Sequence, residues 1–309
     1  MINLTLRQLR YLDALARHGR FGRAAEACAV SQPALSMQIK ELEEAVGVAL
    51  FERAAKQVQL TPFGEEFVRR SQSILRAVGE LEDLAHSARG GLGGRLRLGI
   101  IPTIAPYLLP AILERLRRDF GDLVVDVRES ITLRLTDELT DGRLDAAIAA
   151  LPIGEPGLEE IELFCEPFVL IRPVSAATEK VPALAELGQA RLLLLEEGHC
   201  FREQALAFCG LRSSGEWGGL DGSSLSTLVQ LVAAGLGITL LPEMAVPVET
   251  RSAPISVHRF AAPEPSRTIG MVWRRTSPLR RALVQIAECV REAALSQTEA
   301  AAAHSAAGR

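Results

Sequence analysis

The first 62 residues carry apolar side chains at helical spacing, which predicts three helices. The second is expected to be short, where the segment Phe21–Cys28 is dense in alanine, and the third to run from Gln32 to Val46. Ser31 is a natural N-cap for the third helix, and Pro33 lies in its first turn, where a missing N–H is tolerated. The expected buried faces are Leu6, Leu9, Leu12 and Leu15 in the first helix and Leu35, Ile39 and Leu42 in the third.

Residues 63–89 predict one long amphipathic helix. Phe67, Ile74 and Leu81 follow one another at seven-residue steps, a pattern suited to pairing with a second copy of the helix. Packing of this face on its own domain is the alternative. Because the glycine-rich run 90–94 follows as a flexible hinge, we favour self-association.

Beyond the hinge, short apolar runs alternate with helical patterns, which predicts α/β architecture with mostly parallel sheets. The alanine-rich tail, 298–309, is expected to be disordered. The predicted strands are Arg95–Ile101, Val124–Glu129, Leu144–Ala150, Phe168–Arg172, Arg191–Leu195, Gly237–Leu241 and Thr268–Trp273, and the predicted helices are Pro106–Phe120, Leu133–Thr140, Phe201–Phe208, Ser224–Ala234 and Pro278–Ala294.

The charge balance argues against a generally basic nucleic-acid binder, because the formal net charge of the 309 residues is −4. It leaves room for a sequence-specific DNA reader with a local basic patch. Met1–Arg10 shows no apolar signal-peptide core, and no run of about 18 apolar residues occurs, so we expect a cytoplasmic protein without membrane contact. The five cysteines are then expected to be free thiols unless a disulfide is functional.

The start of the third helix offers the chemistry of a recognition helix. Short polar and amide side chains at such a position read base edges in the major groove. Two basic residues of the expected β-wing that follows are placed for phosphates. An ordinary small helical domain is the alternative interpretation. The expected DNA-contacting residues are Arg23, Ser31, Gln32, Pro33, Ser36, Gln38 and Lys40, with Arg53 and Lys56 in the wing.

This N-terminal region resembles the winged helix-turn-helix of LysR-type transcriptional regulators. The resemblance rests on Phe21–Ser36, Leu42-Glu43, Gly47, Leu50–Arg53 and Leu60–Gly64. It implies binding to DNA sequences with two-fold symmetry upstream of target genes. It also implies an effector domain of two α/β lobes that resembles type II periplasmic binding proteins.

The resemblance implies a division of the chain into an all-α winged helix-turn-helix, a dimerising linker helix, a hinge and the effector domain. The chain would cross between the two lobes near Glu166–Phe168 and Ser266–Thr268. The implied boundaries are 1–62, 63–89, 90–94 and 95–297, with 95–167 and 268–297 in lobe I and 168–267 in lobe II.

Within the family, the second half resembles the OxyR-type branch of hydrogen-peroxide sensors. It shares Gly198-His199-Cys200 with Cys209, Ile101-Pro102-Thr103, Pro106-Tyr107-Leu108, Thr132 and Arg267–Gly270. The resemblance implies that peroxide oxidises Cys200, which forms a reversible disulfide with Cys209 and changes effector-domain packing and DNA binding. Glu203 stands where the branch commonly has Asp, and its extra methylene would shift a proton relay. The implied peroxide-site residues are Cys200, Cys209, His199, Thr103, Thr132 and Arg267.

The chemistry of a thiol sensor supports this interpretation. A thiolate is the attacking species, and a helix N-terminus, as expected at Cys200, favours it. His199, Arg202 and Arg267 are candidates to add hydrogen bonds or positive charge. If a continuous helix separates Cys200 from Cys209, they lie roughly 13 Å apart. A disulfide needs Cα atoms within roughly 7 Å, so oxidation would have to unwind the helix.

Two rival functions stay open: a LysR-type regulator that responds to a metabolite, with incidental cysteines, and a thiol peroxidase. Cys28, Cys165 and Cys289 are expected to be small buried apolar residues. The CxxC spacing of zinc sites is absent, so neither a metal nor a cofactor is expected.

The resemblance also implies partners. They are double-stranded DNA at dyad promoter sites, a second copy of the chain in a homodimer or homotetramer, hydrogen peroxide, a thiol reductant and RNA polymerase. Activation and repression of oxidative stress genes are both compatible with the family. The expected role is that of a regulator, not of an enzyme.

Overall fold

The structure, a computed structural model, describes residues 4–53, 58–87, 94–177, 181–182, 187, 191–210, 221–251 and 253–307. The chain divides into two compact units, Met1–Ala85 and His86–Arg309. No helix among the described residues combines the length and the apolar character needed to cross a bilayer.

The first unit contains the three predicted helices, a two-stranded hairpin and the start of a long helix. Thr5 caps the first helix in a reciprocal capping box with Gln8. Ser31 caps the third, whose inward face is the predicted one. Leu6, in contrast, is 43% exposed, and Tyr11 fills the buried face instead. The elements are α1 (Leu6–His18), α2 (Phe21–Ala27), α3 (Gln32–Val46), β1 (Phe51–Arg53), β2 (Val58–Leu60) and α4 (Pro62–Ser87).

Strands β1 and β2 pair antiparallel and form the predicted wing. The carboxylate of Glu43, near the end of α3, fixes the start of this wing. Its Oε1 accepts hydrogen bonds from the backbone N–H groups of Leu50, at 2.8 Å, and Phe51, at 3.1 Å. Both of these residues are buried, so the carboxylate satisfies two donors that would otherwise lose water without replacement.

Helix α4 packs on the core of the first unit through its first turns. Phe67 and Val68 contact this core, and Gln72 donates from Nε2 to Oδ1 of the buried Asp13 at 3.0 Å. The sequence predicted that Phe67 belongs, with Ile74 and Leu81, to a seam that pairs with a second copy. Phe67 instead packs against the core of its own unit. Ile74 and Leu81, further along the same helix, are 46% and 65% exposed.

The second unit is an α/β domain built on one seven-stranded sheet. The strand order is β10-β6-β11-β5-β3-β4, and β9 also pairs with β6. The elements are β3 (Arg95–Ile100), α5 (Ala105–Asp119), β4 (Val124–Glu129), α6 (Thr132–Thr140), β5 (Ala146–Leu151), β6 (Leu158–Pro173), β7 (Leu194–Leu195), α7 (Cys200–Phe208), β8 (Asp221–Gly222), α8 (Leu225–Ala233), β9 (Thr239–Pro242), α9 (Val246–Glu249), β10 (Ile255–His258), β11 (Ser266–Arg274) and α10 (Arg280–Ala307).

The expectation of mostly parallel sheets is wrong. Within the large sheet only the pairs of β3 with β4 and with β5 are parallel. Strands β6 and β11 run antiparallel to each other and to their other neighbours, because each carries the chain from one half of the domain to the other. The first half of β6 was also missed, since its glutamates interrupt the apolar run.

Two separate apolar cores define two lobes. The core of lobe I comes from residues 96–163 and 269–294, and that of lobe II mainly from residues 168–260. Strands β6 and β11 pass through both. Tyr107 is an exception to this division, because it stands on α5 of lobe I and packs in the core of lobe II.

Two further expectations differ from the structure. Helix α10 continues through Ala307, where we expected a disordered tail, because alanine has the highest helix propensity. Cys165, on β6, is exposed rather than buried, and Cys28 and Cys289 are half-buried.

The wing anchor can be tested by mutation. We expect Glu43→Ala to lower the free energy of unfolding of the first unit by about 1–3 kcal/mol, because two buried N–H groups lose their acceptor. Glu44→Ala is the matched control: Glu44 is exposed and only pairs with Lys40 at 3.5 Å, so we expect a change within about 0.5 kcal/mol. Calorimetry of the full chain measures both, and equal shifts would contradict the anchor.

Candidate functional site

The amino-terminal turn of α3 presents a polar surface. Ser31, Gln32 and Pro33 are exposed, and so are Arg23 on α2 and Lys40. Helices α2 and α3 approach closely here, since a Cβ built on Gly22 would lie 3.4 Å from Oε1 of Gln32. The surface therefore combines amide, hydroxyl and cationic groups on two adjoining helices.

Other predicted DNA-contacting residues are partly buried or already paired with a carboxylate. Ser36 and Gln38 are half-buried, and Gln38 donates to Oε2 of Glu41 at 2.6 Å. Lys40 pairs with Glu44. The side chain of Arg53 and the whole of Lys56 lie outside the described residues.

Helix α7 separates the two thiols singled out in the sequence. His199 is its N-cap, Cys200 its first residue and Cys209 its C-cap. Because the helix is continuous, its axial rise places these cysteines roughly 13 Å apart. A disulfide needs Cα atoms within roughly 7 Å, so the two thiols cannot be bonded while α7 is intact.

The two thiols also belong to different cores. Cys200 is half-buried and packs against the core of lobe I, although α7 itself belongs to lobe II. Cys209 is 3% exposed within the core of lobe II. Burial raises the pKa of the Cys209 thiol to about 11, so it stays protonated near neutral pH.

A buried arginine lies where the strands cross between lobes. Arg267, on β11, donates from Nε to Oε2 of Glu166 on β6 at 2.7 Å and from NH1 to the hydroxyl of Thr103 at 2.8 Å. Its side chain is fully buried, and its guanidinium lies 5.7 Å from the ring centroid of Phe168 and 6.0 Å from that of Phe201 on α7. Burial raises the pKa of Glu166, and the charge of Arg267 opposes that shift.

Arg202 serves a different purpose from the one expected. Its NH1 donates to the carbonyl of Leu195 on β7 at 2.8 Å and to Oδ1 of Asp221 on β8 at 2.9 Å. The guanidinium is thus paired with a carboxylate and ties α7 to the small β7–β8 sheet. It anchors the helix instead of supplying charge to the thiol.

Thr132, the first residue of α6, has a buried hydroxyl oxygen without a hydrogen-bond partner among the described residues. The residue before it, Ile131, faces the loop that leads into α7: a Cβ built on Gly198 would lie 3.0 Å from Cδ1 of Ile131. Gly198 has a φ of +93°, a conformation that side chains disfavour. Burial lowers the pKa of the adjacent His199, and Glu196 opposes that shift.

A cavity of about 470 Å³ lies between the lobes of the second unit. Thr103, Tyr107 and Ile131 line it from lobe I, and His199 and Ser226 line it from lobe II. The structure thus brings Thr103 and His199 to one cavity, with Arg267 bonded behind Thr103. Among the described residues no cluster of three or more histidine, cysteine or carboxylate side chains is arranged to hold a metal ion.

Three polar residues of this region were not found from the sequence: Glu166, Asp221 and Glu249. Each is a carboxylate in a stretch without a motif, and each pairs with a residue more than fifteen positions away along the chain. Only Glu166 could have been found from the sequence, because it begins the predicted crossing between the lobes.

Comparison with known proteins decides the family. Residues 6–65 match the lysR family of bacterial regulatory helix-turn-helix proteins, and residues 89–295 match the LysR substrate binding domain. The chain belongs to the LysR family, in its OxyR branch. The predicted fold class, a winged helix-turn-helix with a linker helix and a two-lobed α/β effector domain, is thereby confirmed.

Individual OxyR proteins match over nearly the whole chain. The DNA-binding transcriptional dual regulator OxyR of Escherichia coli K12 is 42% identical, over 93% of this chain and 95% of its own length. Full-length OxyR from Pseudomonas aeruginosa, a point variant, has a TM-score of 0.73 and 39% identity, over 94% of this chain and 95% of that chain. A cysteine-to-serine mutant of Corynebacterium glutamicum OxyR with hydrogen peroxide bound has a TM-score of 0.68 and 35% identity, over 98% and 96%.

The burial of Cys209 predicts its reactivity. With a pKa of about 11, roughly one thiol in a thousand is ionised at pH 8, so iodoacetamide should label Cys209 slowly there. The labelling rate should rise about tenfold for each pH unit until pH approaches the pKa. The exposed Cys165 is the internal control, followed in the same peptide digest. Equal labelling of the two at pH 8 would contradict the buried state.

Proposed function

We propose that this LysR-family protein is a peroxide-sensing, DNA-binding transcriptional regulator in which Cys200 reacts and Cys209 resolves. The observation that carries the proposal is the placement of both thiols at opposite ends of one short helix, α7, at the boundary between two lobes. The peroxide-bound state of a relative that is 35% identical supports the choice of hydrogen peroxide as the signal.

The first chemical step forms an S–O bond at Cys200. Its thiolate attacks one oxygen of hydrogen peroxide, the O–O bond breaks, and hydroxide leaves and takes up a proton to become water. The product is a sulfenic acid. Cys200 starts a helix, where free backbone N–H groups and the positive end of the helix dipole stabilise an anion.

Three side chains would hold the reactants. The hydroxyl of Thr132, without a partner of its own, would accept or donate to the peroxide. Thr103 presents a hydroxyl that already accepts from Arg267, so it would act as a donor to the peroxide oxygen. Burial lowers the pKa of His199, which favours its neutral form, and this imidazole would hold the peroxide by a hydrogen bond while the leaving hydroxide takes its proton from solvent.

The second step joins the thiols. Cys209 attacks the sulfenic sulfur, an S–S bond forms, the S–O bond breaks, and water leaves. Because α7 holds the sulfurs apart, this step requires the helix to unwind and Cys209 to leave the core of lobe II. A cellular thiol reductant would restore both thiols, which makes the switch reversible.

Refolding of α7 supplies the structural signal. Phe201, Ala205 and Leu206 are buried in the same core as Cys209, so unwinding repacks this side of lobe II. We propose that the repacking changes how effector domains of neighbouring copies meet, and with them the spacing of the DNA-binding units.

Peptide mapping under non-reducing conditions tests the thiol switch. We expect a small excess of hydrogen peroxide to produce a Cys200–Cys209 disulfide that dithiothreitol removes. Cys209→Ser should stop the reaction at a sulfenic acid that dimedone traps on Cys200, because no resolving thiol remains. Cys289→Ser is the matched control, since Cys289 is a half-buried thiol on another helix, and should leave the disulfide unaffected.

Two outcomes would overturn the thiol switch. If Cys200 and Cys209 remain thiols with peroxide while DNA binding still responds to a metabolite, the interlobe cavity is the sensing site. Steady turnover of peroxide with a thiol reductant would instead indicate a peroxidase. We propose a sensor and not an enzyme, since residues 6–65 match the lysR family of helix-turn-helix proteins.

The DNA-binding unit would place α3 in the major groove. The exposed Ser31, Gln32 and Pro33 would read base edges, with Arg23, Ser36, Gln38 and Lys40 near them. Arg53 and Lys56 of the wing would contact phosphates. The exposed Ile74 and Leu81 of α4 would pair with a second copy, giving a dimer or a dimer of dimers that binds dyad promoter sites in the cytoplasm and contacts RNA polymerase.

Gln32 gives the sharpest test of DNA reading. We expect Gln32→Ala to weaken binding to the cognate site by about 1–3 kcal/mol, because an exposed amide at a recognition-helix N-terminus loses its hydrogen bonds to a base. Binding to random DNA of the same length is the control and should not change, since Gln32 carries no charge. Fluorescence anisotropy at one fixed salt concentration measures both, and an equal loss on the two DNAs would contradict base reading.

A further inference from the structure

Tyr107 connects the two lobes through a buried hydrogen bond. It stands on α5 of lobe I, is 6% exposed, and packs its ring in the core of lobe II. Its hydroxyl donates to Oε1 of Glu249 at 2.7 Å. Glu249 ends α9 of lobe II and is 7% exposed. The bond therefore joins lobe I to lobe II.

The same carboxylate oxygen receives a second donor. The hydroxyl of Ser226, near the start of α8, donates to Oε1 of Glu249 at 2.8 Å. One donor thus comes from lobe I and one from lobe II. Burial and the neighbouring Glu249 raise the pKa of the Tyr107 phenol, so the phenol stays protonated and remains a donor at physiological pH.

Tyr107 lies close to residues of the proposed peroxide site. Thr103 lies in the turn that leads into α5, and Ile104 and Ala105, between Thr103 and Tyr107, are buried. A displacement of Tyr107 from lobe II would therefore carry Thr103 with it. Thr103 and Tyr107 line the same cavity as His199, the N-cap of the helix that begins with Cys200.

We propose that the Tyr107–Glu249 hydrogen bond is an interlobe latch that sets the distance between Thr103 of lobe I and Cys200 of lobe II. Tyr107 is then a positioning residue for the reaction with peroxide, a role that rests on the proposed function. Peroxide, a molecule of two heavy atoms, must be held from both sides at once. Its reaction is more sensitive to this distance than that of a reagent that needs only the thiolate.

The test compares two reagents at Cys200 in the full-length protein. For Tyr107→Phe, which keeps the buried ring, we expect the rate of Cys200 oxidation by hydrogen peroxide to fall by about tenfold or more, because the reactants lose alignment. The rate of Cys200 alkylation by iodoacetamide should stay within about twofold, because that reaction needs no group from lobe I. The ratio of the two rates is the readout.

Three variants serve as controls. Tyr11→Phe removes the only other tyrosine hydroxyl of the chain, which accepts from Arg7 in the DNA-binding unit, and should leave both rates unchanged. Glu249→Gln keeps an acceptor oxygen for Tyr107 and should retain the wild-type ratio, whereas Glu249→Leu should reproduce the loss even if Tyr107→Phe fails to fold.

The outcomes are distinct. An unchanged peroxide rate in Tyr107→Phe overturns the latch, and so does an equal fall with both reagents, which would mark general damage to the fold. Failure of the proposed function would show in the wild type, as a Cys200 that reacts with peroxide no faster than free cysteine does. A lower ratio in Tyr107→Phe and Glu249→Leu, with an unchanged ratio in Tyr11→Phe and Glu249→Gln, supports the latch.

Discussion

The separation of Cys200 from Cys209 by an intact helix is the constraint on which the proposed switch depends. A helix of nine residues is short, and its stability comes from packing, since Phe201, Ala205 and Leu206 lie in the core of lobe II. The same contacts bury Cys209 and keep it protonated. Chemistry at one end of the helix and packing at the other are therefore coupled, and a covalent bond between the ends is incompatible with the helix.

The lobes meet through polar groups that are almost fully dehydrated. Arg267 binds Glu166 and Thr103 at the strand crossing, and Tyr107 of lobe I binds Glu249 of lobe II. A buried ion pair of this kind contributes little net stability, because the loss of hydration offsets the attraction, but it fixes geometry. These bonds give the cavity a defined width at the place where a small oxidant must be held by two lobes.

Much of the fold followed from sequence periodicity, and the failures have physical causes. Helix α3 was predicted to the residue, because Ser31, Pro33 and Gly47 mark its ends locally. The sequence did not predict the antiparallel direction of β6 and β11, because these strands pair with each other although they are distant along the sequence. The thiols and Thr103 stand in motifs, so the sequence alone could propose them, whereas Glu166 and Glu249 pair with residues that only the folded chain brings near.

The burial of Cys209 limits how fast the disulfide of the proposed switch can form. After the first oxidation, the sulfenic acid at Cys200 waits for α7 to open, and the waiting time depends on the local stability of lobe II and hence on temperature. During that interval a second molecule of oxidant competes for the same sulfur and drives it to the irreversible sulfinic acid. In the proposed switch, the packing of Phe201 and Leu206 thus sets the peroxide concentration above which Cys200 is oxidised irreversibly before the disulfide forms.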